Sequence, residues 1–128
     1  MKSLVVWRLC AAKYAATAFS GDGAKRYGGR WSPPGLALVY TSESRALALL
    51  EVLANAAEPE LLCDVAWVLI SAELSPDMIE KPARYPESWR RFPHSGDTQK
   101  FGEEWARAAR SVGLRVPSAV VSGEFNYL

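Results

Sequence analysis

The chain has 128 residues, of which 49% are hydrophobic and 23% charged, a composition typical of one compact globular domain with a sizeable core. Its 15 basic and 14 acidic residues give a formal net charge of +1, so it lacks the basic excess that nucleic-acid or anionic-membrane binding usually requires. We therefore expect a single domain over residues 1–128, no direct nucleic-acid contact, and only local recognition of any phosphate group.

The cysteines and the single histidine do not form a recognisable metal set. Cys10 and Cys63 lie in separate apolar segments without metal-ligand spacing, and His94 cannot complete a zinc site with them. The apolar N-terminal run is interrupted at Trp7-Arg8, and no run approaches the roughly 20 residues of a membrane span. These features predict a reduced, cytoplasmic protein without a metal and without a membrane segment.

The N-terminal third predicts a strand followed by a long shaped loop. Residues Leu4–Leu9 are β-prone, and the alanines of Ala11–Phe19 allow a helical turn or two. The segment Ser20–Gly35 then packs five glycines and two prolines together, which is the composition of a loop.

The next segment predicts a strand that leads into a helix. Leu36–Tyr40 (LALVY) has the pattern of a buried strand. Thr41 or Ser42 is a suitable N-cap for the helix that follows, which we expect over Glu43–Ala57.

The second half predicts one long strand, an irregular excursion, a helix and a final strand. Asp64–Leu74 is apolar on both faces, as expected of a central strand, whereas the proline-rich Ser75–Thr98 predicts an excursion over the surface. Asp97–Val112 predicts an amphipathic helix that Gly113 ends, with an apolar stripe of Phe101, Trp105, Ala108 and Val112. A strand over Leu114–Val121 completes a mixed α+β domain whose sheet consists of several short strands.

Glu51 is the residue of the predicted helix that most needs an explanation. Every other residue between Arg45 and Asn55 is apolar. Burying an ionised carboxylate without partners costs several kcal/mol, so the sequence predicts a nearby arginine, hydroxyl or ligand. The alternative is that Glu51 lies at the edge of the apolar face and points to water.

Two arginines are candidates for binding an anion. Arg30 follows Gly28 and Gly29, whose backbone N–H groups can approach an anion while the guanidinium chelates a phosphate. The alternative for Arg30 is an exposed turn residue stacked on Trp31. Arg8 lies inside an apolar strand, where an arginine generally has a dedicated partner, or else extends to solvent from an edge strand.

Tyr40 and Ser118 are weaker candidates. Tyr40 precedes a helix at the end of a predicted strand, a crevice position where sheet proteins often bind ligands, although a core tyrosine is the commoner explanation. Ser118 follows Pro117 in an apolar segment, where its hydroxyl needs a hydrogen-bond partner. We expect His94 to be exposed rather than catalytic.

Four segments together resemble a known family. WRL near the start is followed by FSGDGAKRYGGRWSPPG, VYTSESRALALLE and GLRVPSAVVSGEFNYL. In this order they resemble the RES-domain family, toxins of bacterial toxin–antitoxin pairs that are named for an arginine, a glutamate and a serine. The resemblance covers nearly the whole chain. It implies an ADP-ribosyltransferase-like fold and NAD as substrate, which is either depleted or used to transfer ADP-ribose to a protein target. It also implies an oligomer with an antitoxin that carries an Xre-like helix-turn-helix domain.

The resemblance assigns roles to individual residues. The family arginine falls on Arg30, its glutamate on Glu51 and its serine on Ser118, while Arg8 and Tyr40 match residues that line the NAD pocket of the family. Members usually continue past the asparagine that corresponds to Asn126, so the resemblance implies that this chain is truncated at its C-terminus.

These implied roles agree with the chemistry of cleaving the nicotinamide–ribose bond. A carboxylate at Glu51 stabilises the positive charge of an oxocarbenium-like transition state. Arg8 and Arg30 hold the diphosphate, Tyr40 stacks on nicotinamide or ribose, and Gly29 keeps the loop backbone close to the ligand. Two other functions stay open. One is a catalytically inactive module that binds the antitoxin and contributes to transcriptional regulation. The other is a nuclease, which the near-neutral charge and the absence of a metal-ligand carboxylate cluster argue against.

Overall fold

The computed structural model describes residues 3–56 and 59–128, and within them six strands form one mixed sheet with three accompanying α-helices. In chain order the elements are β1 (Leu4–Ala11), α1 (Asp22–Tyr27), β2 (Thr41–Ser42), α2 (Arg45–Asn55), β3 (Trp67–Leu74), β4 (Ile79–Glu80), α3 (Gly96–Ala108), β5 (Gly113–Pro117) and β6 (Phe125–Tyr127). Short 3-10 helices occupy Ala12–Thr17, Pro59–Asp64 and Pro76–Met78. The expected α+β class, with a mixed sheet of short strands, is confirmed. None of the helices in the described residues has the length and apolarity needed to cross a bilayer.

The sheet narrows at its centre to the two residues of β2. The strand order is β3-β1-β2-β6-β5-β4, with β4 and β5 parallel and the other neighbours antiparallel. Ser42 is in register with Trp7 of β1 on one side and with Asn126 of β6 on the other. Residues from both halves of the sheet therefore meet at β2.

The glycine-rich loop is anchored in the core by Trp31. Gly29 and Ser32 form an isolated antiparallel bridge, so Arg30 and Trp31 occupy the tip of a tight turn. Trp31 is 2% exposed and belongs to a core cluster with Trp105, Leu114, Val116 and Leu128. From α3, Gln99 donates to the backbone carbonyls of Gly29 and Ser32. The turn is thus fixed by packing and hydrogen bonds from the side of α3.

Two predictions for the first half of the chain are wrong. Ser20–Gly35 is not loop throughout, because α1 begins after Gly21, whose φ of 75° favours glycine, and Asp22 lies favourably in its first turn. Leu36–Tyr40 is not a strand. The Tyr40 carbonyl accepts a hydrogen bond from the Arg8 guanidinium instead of a strand neighbour, and sheet pairing begins only at Thr41.

The helix after β2 is present but is capped by another residue. Ser44, whose hydroxyl accepts from Leu47 N at 3.1 Å, replaces the predicted caps Thr41 and Ser42. Those two residues are in β2, where their hydroxyls bond across the sheet to β6. The helix ends at Asn55, and the predicted end at Ala57 lies outside the described residues.

The strand predicted over Asp64–Leu74 is at the edge of the sheet rather than at its centre. It begins at Trp67, pairs with β1 alone among the described strands, and alternates between partly buried and exposed residues. Leu69 is 43% exposed and Val65, before the strand, 41%. An apolar run on both faces therefore does not indicate burial on both faces in this chain.

The C-terminal boundaries also differ from the prediction. α3 ends at Ala108, and Ala109 adopts the left-handed conformation with φ of 52°, so Val112 lies beyond the helix and is exposed. Gly113 does not end the helix but opens β5 opposite Ile79, whose Cδ1 would lie 2.6 Å from an added Cβ. β5 ends at Pro117, which leaves Ser118 in the turn that leads to β6.

The contact between α3 and the glycine-rich turn generates a stability prediction. A Cβ added at Gly102 would lie 1.8 Å from the carbonyl oxygen of Trp31, so Gly102→Ala must displace helix or turn. We expect a loss of about 1–3 kcal/mol of unfolding free energy, in spite of the better helix propensity of alanine. Gly23→Ala is the matched control, because no atom lies within 4 Å of its added Cβ in α1. Urea unfolding of both variants makes the comparison, and equal stability would contradict the close contact.

Candidate active site

A cleft of about 430 Å³ opens beside β2, where the two halves of the sheet meet. Its walls come from β1, the turn at Gly28–Trp31, α2 and β6, and it is lined by Arg8, Arg30, Tyr40, Glu51 and Asn126, among other residues. The structure therefore brings four of the five predicted side chains to one cleft, and the fifth, Ser118, lies in contact with Glu51.

Glu51 projects from α2 and is held by two donors. Its Oε2 accepts a hydrogen bond from the Ser118 hydroxyl at 2.8 Å and another from the Asn126 side-chain amide. Oε1 accepts none from the described residues, so it is available to a ligand in the cleft. The sequence raised the question of what compensates a carboxylate on an apolar helix, and for Oε2 the answer is these two side-chain donors.

Ser118 has its hydroxyl fully committed. It is 1% exposed, its Oγ accepts the backbone N–H groups of Val120 at 3.1 Å and Val121 at 3.0 Å, and it donates its proton to Glu51. The turn after Pro117 places it there. A hydroxyl in this state orients a carboxylate and has no lone pair left for nucleophilic attack. In this geometry Ser118 orients Glu51, and its predicted catalytic role stays a prediction.

Asn126 links Glu51 to the centre of the sheet. Its side-chain Nδ2 donates to Glu51, while its Oδ1 accepts the hydroxyl proton of Ser42 at 2.8 Å. Neither Asn126 nor Ser42 was among the predicted site residues. Asn126 could have been noticed from the sequence, because it lies between two aromatic residues in the short segment FNY and asparagine is depleted in strands.

Arg30 lies at the tip of the glycine-rich turn and faces the segment around residue 90. Its Nη1 donates to the backbone carbonyls of Trp89 at 2.8 Å and Arg91 at 2.7 Å, and its guanidinium stacks on Phe92 with 4.4 Å to the ring centroid. It does not stack on Trp31, which is buried. Burial lowers the pKa of Arg30, and the nearby Glu51 carboxylate and Tyr40 oppose that shift. Nη2 and Nε form no hydrogen bond with the described residues and can serve a ligand.

Arg8 contributes a second guanidinium from β1. Its Nη1 donates to the Tyr40 carbonyl at 3.0 Å, and its Nε is buried without a partner in the part of the chain that the structure describes. Burial lowers its pKa, and Cys10 opposes the shift. Neither Arg8 nor Arg30 forms a salt bridge with the described residues, whereas three other arginines do. Both guanidinium groups are thus free of salt bridges within the described residues, although the Glu51 carboxylate is near enough to favour the charged form of Arg30.

Tyr40 supports the turn as well as lining the cleft. Its hydroxyl accepts from Trp31 N at 3.0 Å and bonds to Ser32 Oγ at 2.8 Å, and burial is the main cause of its raised pKa. A Cβ added at Gly29 would lie 2.6 Å from this hydroxyl. The structure therefore gives a reason for glycine at position 29 that involves Tyr40 and no ligand. The roles of Tyr40 and Gly29 toward NAD stay predictions.

Further residues of the cleft were not predicted as site residues. Trp7, Phe92 and Asn55 are among its lining, as is His94, which is exposed as expected. Within residues 3–56 and 59–128 no group of three or more His, Cys, Asp and Glu side chains is arranged to hold a metal ion. The chemistry available from these side chains is that of one oriented carboxylate beside two guanidinium groups.

Comparison with known proteins places the chain in a family. The family model described as the RES domain matches residues 5–128. "Toxin Res" of Photorhabdus laumondii is 39% identical over 127 residues, which cover 98% of this chain and 80% of that protein. "Prs ADP-ribosylating toxin" of Sphingobium sp. is 36% identical over 127 residues, with 95% of this chain and 79% of that protein covered.

A solved structure agrees on the fold. A chain of the M. tuberculosis MbcT–MbcA toxin–antitoxin complex superposes with a TM-score of 0.61 and 23% sequence identity, over 98% of this chain and 73% of that chain. At this identity the match supports the architecture and not the activity. The family match and the relatives establish, in accord with the resemblance of the four sequence segments, that this chain belongs to the RES domain family.

Proposed function

We propose that this protein is the toxin of a toxin–antitoxin pair and that it cleaves NAD at the nicotinamide–ribose bond. The cleavage either depletes NAD or transfers ADP-ribose to a protein target. The enzyme works in the cytoplasm, where NAD is available, and needs no metal. Its partner is a cognate antitoxin of the Xre-like helix-turn-helix type, with which it forms an oligomer.

The arrangement of Glu51 is the observation that carries this proposal. Cleavage of a glycosidic bond to nicotinamide develops positive charge on the ribose, as in glycoside hydrolysis. A carboxylate that is fixed before the reaction stabilises such charge without reorganising. Ser118 and Asn126 fix one oxygen of Glu51, which lines the cleft, and the other oxygen has no hydrogen-bond partner in the described residues. In this proposal that free oxygen binds a ribose hydroxyl and the developing charge.

The two guanidinium groups support a dinucleotide substrate. A diphosphate brings two negative charges that a nearly neutral protein must compensate locally. Arg8 and Arg30 line the same cleft as Glu51, and both lack a carboxylate partner among the described residues. We assign the diphosphate to them, and the ring of Tyr40 to contact with nicotinamide or ribose.

The relatives support the biological setting. Proteins named Toxin Res, and one named as an ADP-ribosylating toxin, share 35–39% identity with nearly the full chain. The structural neighbour was crystallised as a toxin–antitoxin complex. These names describe those proteins, and they favour the same kind of activity and partner here.

A catalytically inactive antitoxin-binding module is the second candidate. Arg30 already donates to two backbone carbonyls through Nη1, so part of its binding capacity is used within the protein. Release of nicotinamide from NAD by the purified protein separates the two functions, because a binding module releases none.

The catalytic assignment predicts the effect of Glu51→Gln. The substitution keeps the side-chain shape but removes the negative charge that the transition state requires. We expect kcat for nicotinamide release to fall by about two orders of magnitude or more, while KM for NAD changes little. Glu104→Gln on the exposed side of α3 is the control and is expected to behave as wild type. Circular dichroism checks both folds, and a wild-type rate for Glu51→Gln would refute the assignment.

The assignment of Arg30 to the diphosphate predicts a larger effect on NAD affinity than on kcat. Arg30→Ala should weaken NAD binding by about 1–2 kcal/mol with a smaller effect on kcat, because a charge-assisted hydrogen bond is worth about 1.5–3 kcal/mol before solvent screening. Arg26→Ala provides the control, since Arg26 is exposed and pairs only with Asp22 among the described residues. Calorimetric titration measures the NAD affinity of both variants. Equal affinity of Arg30→Ala and Arg26→Ala would count against the assignment.

The uncompensated guanidinium groups also predict how the antitoxin inhibits. An acidic side chain or a C-terminal carboxylate of the partner can dock on Arg8 and Arg30 and so occlude the cleft. We expect NAD to weaken antitoxin binding in a competition titration. If saturating NAD leaves antitoxin affinity unchanged, inhibition does not proceed through this cleft.

A further inference from the structure

We propose that Ser42 and Asn126 are a positioning pair for Glu51, in which the Ser42 hydroxyl sets the orientation of the Asn126 amide. This inference rests on the proposed role of Glu51 and extends it to two residues of the sheet. Catalysis then depends on a hydroxyl that forms no hydrogen bond of its own with Glu51.

The geometry forms a chain of donors that ends at the carboxylate. Ser42 Oγ lies 2.8 Å from Asn126 Oδ1, and Asn126 Nδ2 donates to Glu51 Oε2. Ser42 is 5% exposed, so solvent cannot readily replace its hydroxyl. Within these three side chains, no two donors and no two acceptors face each other.

The direction of the chain follows from the capacities of the groups. An ionised carboxylate only accepts hydrogen bonds, whereas an amide presents a donor on one side and an acceptor on the other. Turning the Asn126 amide over would place Oδ1 against Glu51 Oε2, two acceptors in contact. The carboxylate itself disfavours that orientation, and the hydrogen bond from Ser42 to Oδ1 is a second restraint that fixes the plane of the amide. Removing the hydroxyl therefore leaves Oδ1 without its donor and frees the amide to rotate.

The fold explains why this task falls on Ser42. β2 consists of two residues, and the register pairs Ser42 directly with Asn126. Its neighbour Thr41 pairs with Tyr127 and uses its hydroxyl on the Tyr127 backbone carbonyl at 2.8 Å. Both hydroxyls therefore bond β2 to β6, but only that of Ser42 reaches a side chain that contacts Glu51.

Ser118 cannot take over the function of the pair. Its Oγ is already bound by two backbone N–H groups and gives its single proton to Glu51. It supplies one of the two hydrogen bonds at Oε2, and Asn126 supplies the other. With one donor loosened, the carboxylate gains freedom to rotate away from the productive direction, which lowers the rate more than the affinity.

The test compares two buried hydroxyls of the same strand. In an assay of nicotinamide release, we expect Ser42→Ala to lower kcat by about tenfold or more, with KM for NAD within about twofold of wild type. Ser42→Thr keeps a donor and should recover most of the lost kcat. Thr41→Val removes the neighbouring hydroxyl that also bonds β2 to β6, and its kcat is expected to be that of wild type after correction for the folded fraction.

Two results of this assay would overturn the proposal. A wild-type kcat for Ser42→Ala, or an equal loss in Thr41→Val, overturns the proposal in favour of a general effect on the sheet. If Ser42→Ala does not fold, Asn126→Ala tests the other member of the pair, because it removes the donor to Glu51 without adding a second carboxylate beside it. An unchanged kcat in Asn126→Ala would equally overturn the proposal.

A second measurement separates failure of this inference from failure of the proposed function. If the wild-type protein releases no nicotinamide, the proposed function fails, and the positioning pair is judged by NMR instead. The side-chain amide of Asn126, identified by its loss in Asn126→Ala, should exchange slowly with solvent in the wild type and faster in Ser42→Ala. Equal exchange in the two proteins would show that Ser42 does not hold the amide.

Discussion

The two hydrogen bonds at Glu51 Oε2 are the interaction on which the site depends. A carboxylate on an otherwise apolar helix needs fixed donors, and the donors here come from positions 67 and 75 residues further along the chain. Neither bond can form until α2 has packed against the assembled sheet. The geometry of the carboxylate is therefore a tertiary property, and its precision reflects the rigidity of the strands and the turn that hold Ser118 and Asn126.

The central position of β2 explains why so short a strand matters. It joins β1 to β6, and its two hydroxyls both bond to β6 across the ladder. On the other wall of the cleft, the turn with Arg30 at its tip is fixed through buried Trp31 and the contact with Gly102 of α3. The cluster around Trp31 also contains Val116 of β5 and Leu128 after β6, close in sequence to Ser118 and Asn126. The turn that carries Arg30 and the residues that hold Glu51 therefore rest on the same part of the core.

Sequence reasoning identified the residues with unusual chemistry and missed those that support them. Glu51 and Arg8 stood out because a charge in an apolar element needs a partner, and the structure places both at the cleft. Ser42 was interpreted as a helix cap, since local sequence favours that use of a hydroxyl and the cross-strand partner is distant in sequence. The strand predicted over Leu36–Tyr40 and the central position predicted for Asp64–Leu74 failed for a related reason. Apolar patterns report β propensity, whereas pairing and edge position are decided by strands elsewhere in the chain.

The proposed function depends on one chemical claim, that Glu51 presents its free oxygen to the ribose of NAD. The most direct measurement is a crystal structure with a carbocyclic NAD analogue, in which the bond to nicotinamide cannot be cleaved by this route. The account predicts a ribose-ring hydroxyl within hydrogen-bonding distance of Glu51 Oε1, with the diphosphate in contact with Arg8 and Arg30. An analogue bound with its nicotinamide-side ribose away from Glu51 would contradict the claim.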